Sequence, residues 1–271
     1  MMRARVLLAA VAMTGCSYFQ RGAETPAPGG SGPSGPGASA AKITKAPTLI
    51  KAMHDRYAGK FFKTLSFLQN NTAYTTTGQE QHSQWYEHME VPGKLRIAFL
   101  PARQKSGLVQ VDDEVASFDN GIRVDFRPSV NPLLVMTADV FATPTANILR
   151  ELDSLDVDTD LIRTDEWKGR PVYVVGAARG DTTSNQMWVD SERLLLVRFI
   201  QTDKRGDRVT VSDIRVEKYT DIDGAPVASG FLVIRNGRPV WREEYANIRL
   251  NETFPAGVFD QARWNDIPIP Q

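Results

Sequence analysis

Few side chains in this sequence are of kinds and spacings that do chemistry. Cys16 is the only cysteine in 271 residues. It follows Arg3, Arg5 and a short apolar run from Val6 to Ala12, the order of an export signal. That run falls well short of the roughly 20 apolar residues a helix needs to cross a bilayer, so it is expected to be removed. The histidines are His54, His82 and His88. His82 and His88 share one face of an expected strand but lie about 20 Å apart, too far to hold one metal ion, and are expected to be solvated. Asp153, Asp156, Asp158 and Asp160 lack the glycine and distal glutamate of a calcium loop and are expected on a solvated strand face. There is no Gly-x-Ser-x-Gly elbow, no His-Glu-x-x-His and no phosphate loop. The sequence calls for no enzyme, no metal and no cofactor.

A small residue directly before a lone cysteine, in Met13-Thr14-Gly15-Cys16, resembles the lipobox of bacterial lipoproteins, although that family usually has Leu where Met13 stands. The resemblance implies a signal peptide at 1–15 and lipidation of Cys16, which would tether the chain to a membrane of the cell envelope, facing the periplasm. Ser17 resembles the sorting signal for the outer membrane. With Cys16 lipidated no thiol is left for a disulfide. Residues 16–42 carry the Gly/Pro/Ser-rich run Pro26 to Gly37 and read as a flexible linker. The 23 residues from Gln20 to Lys42 span on the order of 25 Å as a coil. Charged residues are 24% of the chain with formal net charge zero, which gives no basic footprint for nucleic acid.

Residues 43–271 are expected to fold as one domain. Leu49, Ile50, Met53 and Tyr57 recur at helical spacing, with Pro47 suited to the first turn and Gly59 to the stop. Strand patterns follow, broken by turns at Gly78, Pro92-Gly93, Asp112-Asp113 and Asn120-Gly121. Two short helices are expected between Pro132 and Asp153. Strands resume from about Asp156 and end in two long hairpins turning at Asp223-Gly224 and Asn236-Gly237. The expected fold class is mainly β with a few helices: a curled antiparallel sheet of about eleven strands.

These residues resemble the LolA/LolB lipoprotein-localisation proteins over roughly 46–260. The likeness is carried by Leu49-Ile50 with Tyr57-Ala58, by Pro92-Gly93-Lys94-Leu95-Arg96, and by Gly169-Arg170-Pro171-Val172-Tyr173 leading into Met187-Trp188-Val189-Asp190. The ending, Asn247-Ile248-Arg249-Leu250-Asn251 before Phe254-Pro255-Ala256-Gly257-Val258-Phe259, is similar too. The resemblance implies an incomplete β-barrel with a helical lid over an apolar cavity for acyl chains. In the family's soluble carriers an arginine precedes the Pro of this motif and holds the lid; here Val91 stands there.

Candidates for the cavity wall are Phe67, Trp85, Leu95, Ile97, Phe99, Trp188 and Phe231, against the plainer reading that they are ordinary core. Candidates for the lid are Leu133, Leu134, Met136 and Phe141, against core helix or membrane-inserting wedge. A sixteen-carbon chain gains on the order of 12 kcal/mol on leaving water, so such a ligand needs no polar motif. The expected function is binding of lipid or of a lipoprotein's acyl chains and their transfer to the outer membrane. The alternatives are a sensory or regulatory module of the same fold with an envelope protein partner, or a structural lipoprotein.

Overall fold

The computed structural model describes residues 43–269. The expected signal peptide, Cys16 and the linker to 42 lie outside the described residues. The chain starts with helix α1 (Ala46–Tyr57), whose second residue is Pro47 and whose Leu49, Ile50 and Met53 are fully buried. A first meander follows: β1 (Thr64–Tyr74), β2 (Glu80–Glu90), β3 (Lys94–Phe99), β4 (Gly107–Val111), β5 (Glu114–Asp119) and β6 (Ile122–Pro128). Helices α2 (Pro132–Thr137) and α3 (Thr145–Ser154) flank a 3-10 turn at Asp139–Phe141. The second meander is β7 (Ile162–Trp167), β8 (Arg170–Val175), β9 (Gln186–Asp190), β10 (Leu196–Arg205), β11 (Arg208–Ile222), β12 (Ala225–Arg235) and β13 (Arg238–Leu250).

All pairings are antiparallel, in the order β6-β5-β4-β3-β2-β1-β13-β12-β11-β10-β9-β8-β7. The one non-consecutive pairing, β1 with β13, joins the two meanders. The edges β6 and β7 do not pair, so the sheet curls without closing. Thirteen strands form against the expected eleven or so, because each short stretch pairs as a strand of its own. Turns such as Asn120-Gly121 and Asn236-Gly237 allow this: both residues take positive φ, the twist that suits a two-residue hairpin.

The main core joins α1, α2 and α3 to the inner faces of β8 to β13, through Met136, Phe141, Ile148, Leu152, Met187 and Phe199 among others. Strand β7 begins at Ile162 rather than near Asp156, because the chain leaves α3 through turns in which Asp156 takes φ 54°. The acidic run is therefore not a strand face: Asp153 lies in the last turn of α3 and the others lie in the connection.

After β13 the chain folds back over the outer face of the first meander. Trp264 stacks on Phe118 at 4.5 Å between ring centres and donates from Nε1 to the Lys105 carbonyl at 2.9 Å. Arg96, fully buried, lies 4.0 Å from the Trp264 ring and donates to its carbonyl at 3.0 Å. The same segment covers His88, which meets Phe254 edge-on at 4.8 Å. His88 is thus not solvated as expected, and burial, with Arg96 nearby, lowers its pKa to about 4.

Candidate functional site: a roofed cavity with a polar stripe

Helix α2 is short but tightly specified. Pro132 opens it, and the Asn131 side chain accepts from the backbone N–H of Leu133 and Leu134 at 3.0 and 3.3 Å. The capped turn aims its residues in two directions. Leu134 packs with Leu95, Ile97 and Phe99 of β3, while Val135 and Met136 face the main core. Where the main core ends, the concave face of β1 to β5, β12 and β13 is left unfilled beneath α2. A cavity of about 170 Å³ remains.

Five of the seven cavity candidates line it: Trp85, Leu95, Ile97, Phe99 and Phe231. Phe67 faces the same side but is covered, stacked on Tyr245 with ring centres 3.9 Å apart. Trp188 is elsewhere. Its neighbours in β9, Met187 and Val189, point into the main core, so the alternation of the strand turns Trp188 outward. There it meets Trp167 edge-on, with the Arg198 guanidinium 4.9 Å from its ring. Of the lid candidates, Leu133 and Leu134 line the cavity, whereas Met136 and Phe141 belong to the main core. Phe141 packs against Phe61 and Tyr57, at 4.6 and 5.0 Å between ring centres.

The segment after α2 has a tie of its own. The Gly93 N–H, in the turn between β2 and β3, donates to Asp139 Oδ1 at 3.0 Å. The bond joins this turn to the 3-10 turn that follows α2. Burial raises Asp139 to about 7, with the Gly93 bond opposing and Glu151 and Asp112 adding to the rise.

The sequence reading missed a set of polar residues in the wall. Glu87, Gln69 and Glu243 line the cavity with Tyr245, and Asn71 lies buried beside them. Burial first, and Glu243 second, pushes Glu87 well above the ordinary carboxylate range. Burial raises Glu243 to about 7 against the bond that Trp241 Nε1 gives its Oε1 at 2.9 Å. Strand parity carried the signal: Glu87 alternates in step with Trp85 and Met89, and Glu243 with Trp241 and Tyr245. A carboxyl in phase with aromatics sits on the buried face. Among the described residues, no group of three or more His, Cys, Asp or Glu is placed to hold a metal ion.

No protein-family model matches the chain, and no curated protein matches it by sequence. Solved structures do match. A DUF1329 family protein from Desulfovibrio piger superposes with TM-score 0.57 at 15% identity, over 81% of this chain and 98% of that one. A LolA superfamily protein from Nitrosomonas europaea gives 0.52 at 13%, over 81% and 99%. A protein from Vibrio parahaemolyticus, named for an outer membrane lipoprotein-sorting domain, gives 0.56 at 8%, over 80% and 97%. The fold is LolA-like. In this LolA-like fold the helices sit in the concavity, and the cavity is the part of it they leave open.

Proposed function

We propose that this chain is an envelope protein that binds lipid, or the acyl chains of a lipoprotein, under α2 and serves their transfer to the outer membrane. Its role is binding rather than catalysis, and Cys16 is the site of its membrane anchor. One observation carries the reading: in a tightly packed domain, a largely apolar cavity persists beneath a short, separately capped helix. A cavity of about 170 Å³ resembles in size the engineered one of about 150 Å³ that accepts a single benzene. It seats the end of an acyl chain; a whole chain requires α2 to lift. The helix is suited to that, since its cavity side rests on few residues, chiefly Leu95, Ile97 and Phe99. The solved structures of this fold include one named for lipoprotein sorting, which supports the same reading.

The test is native mass spectrometry of the purified protein. Co-purified phospholipid or acylated peptide is expected, with loss of the adduct on Leu133→Asp and Leu134→Asp. Leu133 is the more exposed of the two, so its variant keeps the test readable if Leu134→Asp unfolds. A clean apo mass with no uptake of added phospholipid refutes the proposal.

A second reading, a regulatory module with an envelope protein partner, draws on a different feature. Ile122, Val124 and Phe126 alternate along the edge strand β6 and are all exposed. An apolar edge invites strand pairing or docking. Crosslinking from Val124 to a defined envelope protein, with an empty cavity, would favour it.

A further inference from the structure

Two carboxyl side chains stand in the cavity wall with no basic partner. Glu87 of β2 is 3% exposed, and its Oε1 has no hydrogen-bond partner. Glu243 of β13 accepts one bond, from Trp241 Nε1. Strand β1 runs between them, with Phe67 paired to Glu87 and Asn71 paired to Glu243. Gln69 Nε2 donates to Asn71 Oδ1 at 2.7 Å, and Asn71 Nδ2, in a residue 2% exposed, is left without a partner. The result is a polar stripe across three neighbouring strands of an otherwise mostly apolar wall. Arg127, the basic side chain among the described lining residues, lies on β6; Asp125 is 3.6 Å from its Nε, which makes no hydrogen bond.

Burying a polar atom without a partner is costly, and an apolar side chain of similar size at either position would fill the wall without that cost. A ligand group that meets the Glu87 carboxyl explains its place in the wall. The orphaned Glu87 oxygen and the singly bonded Glu243 carboxyl are acceptors and select a donor, whereas Asn71 Nδ2 is itself a donor. A hydroxyl brings one donor and no charge. A carboxylate brings acceptors and would add a third acidic group beside Glu87, whose ionised form Glu243 already disfavours. A primary ammonium brings three donors and a charge that favours the ionised form of a glutamate it meets.

We propose that the Glu87–Glu243 stripe seats the primary ammonium group of an amphiphilic ligand whose hydrocarbon portion lies along Leu95, Ile97 and Phe99 beneath α2. The proposal rests on the lipid-binding reading above and adds the polar chemistry of the ligand to it. It separates amine-bearing amphiphiles from the general class of apolar chains, which the rest of the wall would accept alike. Glu87 pairs with Ile97 across β2 and β3, so the seat adjoins the apolar track.

The test is calorimetric titration of the purified full chain at pH 7 with dodecylamine, dodecanol and dodecanoic acid, each below its solubility or micelle limit. The amine is expected to bind at least tenfold more tightly than the alcohol, with the acid weakest. In the E87Q/E243Q double variant the amine is expected to fall to within twofold of the alcohol. Less than tenfold preference in the unaltered protein overturns the proposal, as does preference that survives in the double variant. Alcohol binding without amine preference sinks this inference alone, whereas failure of all three probes sinks the lipid-binding reading with it. If the double variant does not fold, the three probes on the unaltered protein still decide.

Discussion

Replacing Asp139 by asparagine should stabilise the protein, and increasingly so as pH rises. The carboxyl is buried in the 3-10 turn after α2 and accepts the Gly93 N–H at 3.0 Å. Its pKa stands at about 7 when folded, against 3.8 for the ordinary aspartate. Below about pH 4 both folded and unfolded chains hold the proton, and the residue contributes no pH dependence. Between 4 and 7 the unfolded chain releases the proton while the folded chain retains it, so stability falls as pH rises. Above 7 the loss is complete. A rise of about three in pKa, at about 1.4 kcal/mol for each, sets the loss at up to about 4 kcal/mol. Asparagine cannot ionise, yet its Oδ1 can still accept from Gly93. The difference between D139N and the unaltered protein should therefore be about 1 kcal/mol at pH 4.5 and on the order of 2–4 kcal/mol in favour of the variant at pH 8. Urea unfolding followed by tryptophan fluorescence at pH 4.5, 6 and 8 measures it. Glu243 and His88 titrate in the same range, but they are common to both proteins and cancel in the difference. Equal stabilities at pH 8, or a gap that is the same at all three values, would refute the reasoning.

Other outcomes test the frame around the site. Arg96→Ala removes a guanidinium stacked on Trp264 and bonded to its carbonyl, and should cost about 2–4 kcal/mol in urea unfolding, with Trp264 emission moving toward that of a solvated indole. Gly107→Ala should cost at least about 2 kcal/mol: φ is 152° and a Cβ would stand 2.0 Å from the Ile97 carbonyl oxygen, with no flexible side chain to give way. An unchanged melting temperature for this variant would contradict the β3–β4 geometry beside the cavity.

Much of the architecture was legible because it depends on local rules. The helix with Leu49, Ile50 and Met53 on one face, Pro47 in its first turn and its end before Gly59 follow from periodicity and backbone chemistry. The hairpins at Asp223-Gly224 and Asn236-Gly237 follow from residues that tolerate positive φ. The order of motifs pointed to the fold that the solved structures share at 8–15% identity. The acidic stretch misled, since alternating Asp residues look like a strand face while Asp156 in fact carries the chain out of α3.

What the sequence by itself determined is which residues are apolar, where the chain turns, and which side chains share a strand face: Trp85 with Glu87, Trp241 with Glu243. Only the tertiary structure decided which buried face borders open space. Trp188 and Phe231 obey the same alternation, yet one is covered by Trp167 and Arg198 on the outer wall and the other faces the cavity. His82 and His88 lie on one strand face, yet a segment more than 160 residues further on covers only the second. Burial of an alternating residue requires a partner from elsewhere in the chain, and periodicity holds no record of which one arrives. The cavity is the same effect at larger scale: it is the space left where α1, α2 and α3 do not reach, and its size depends on how the two meanders curl around them.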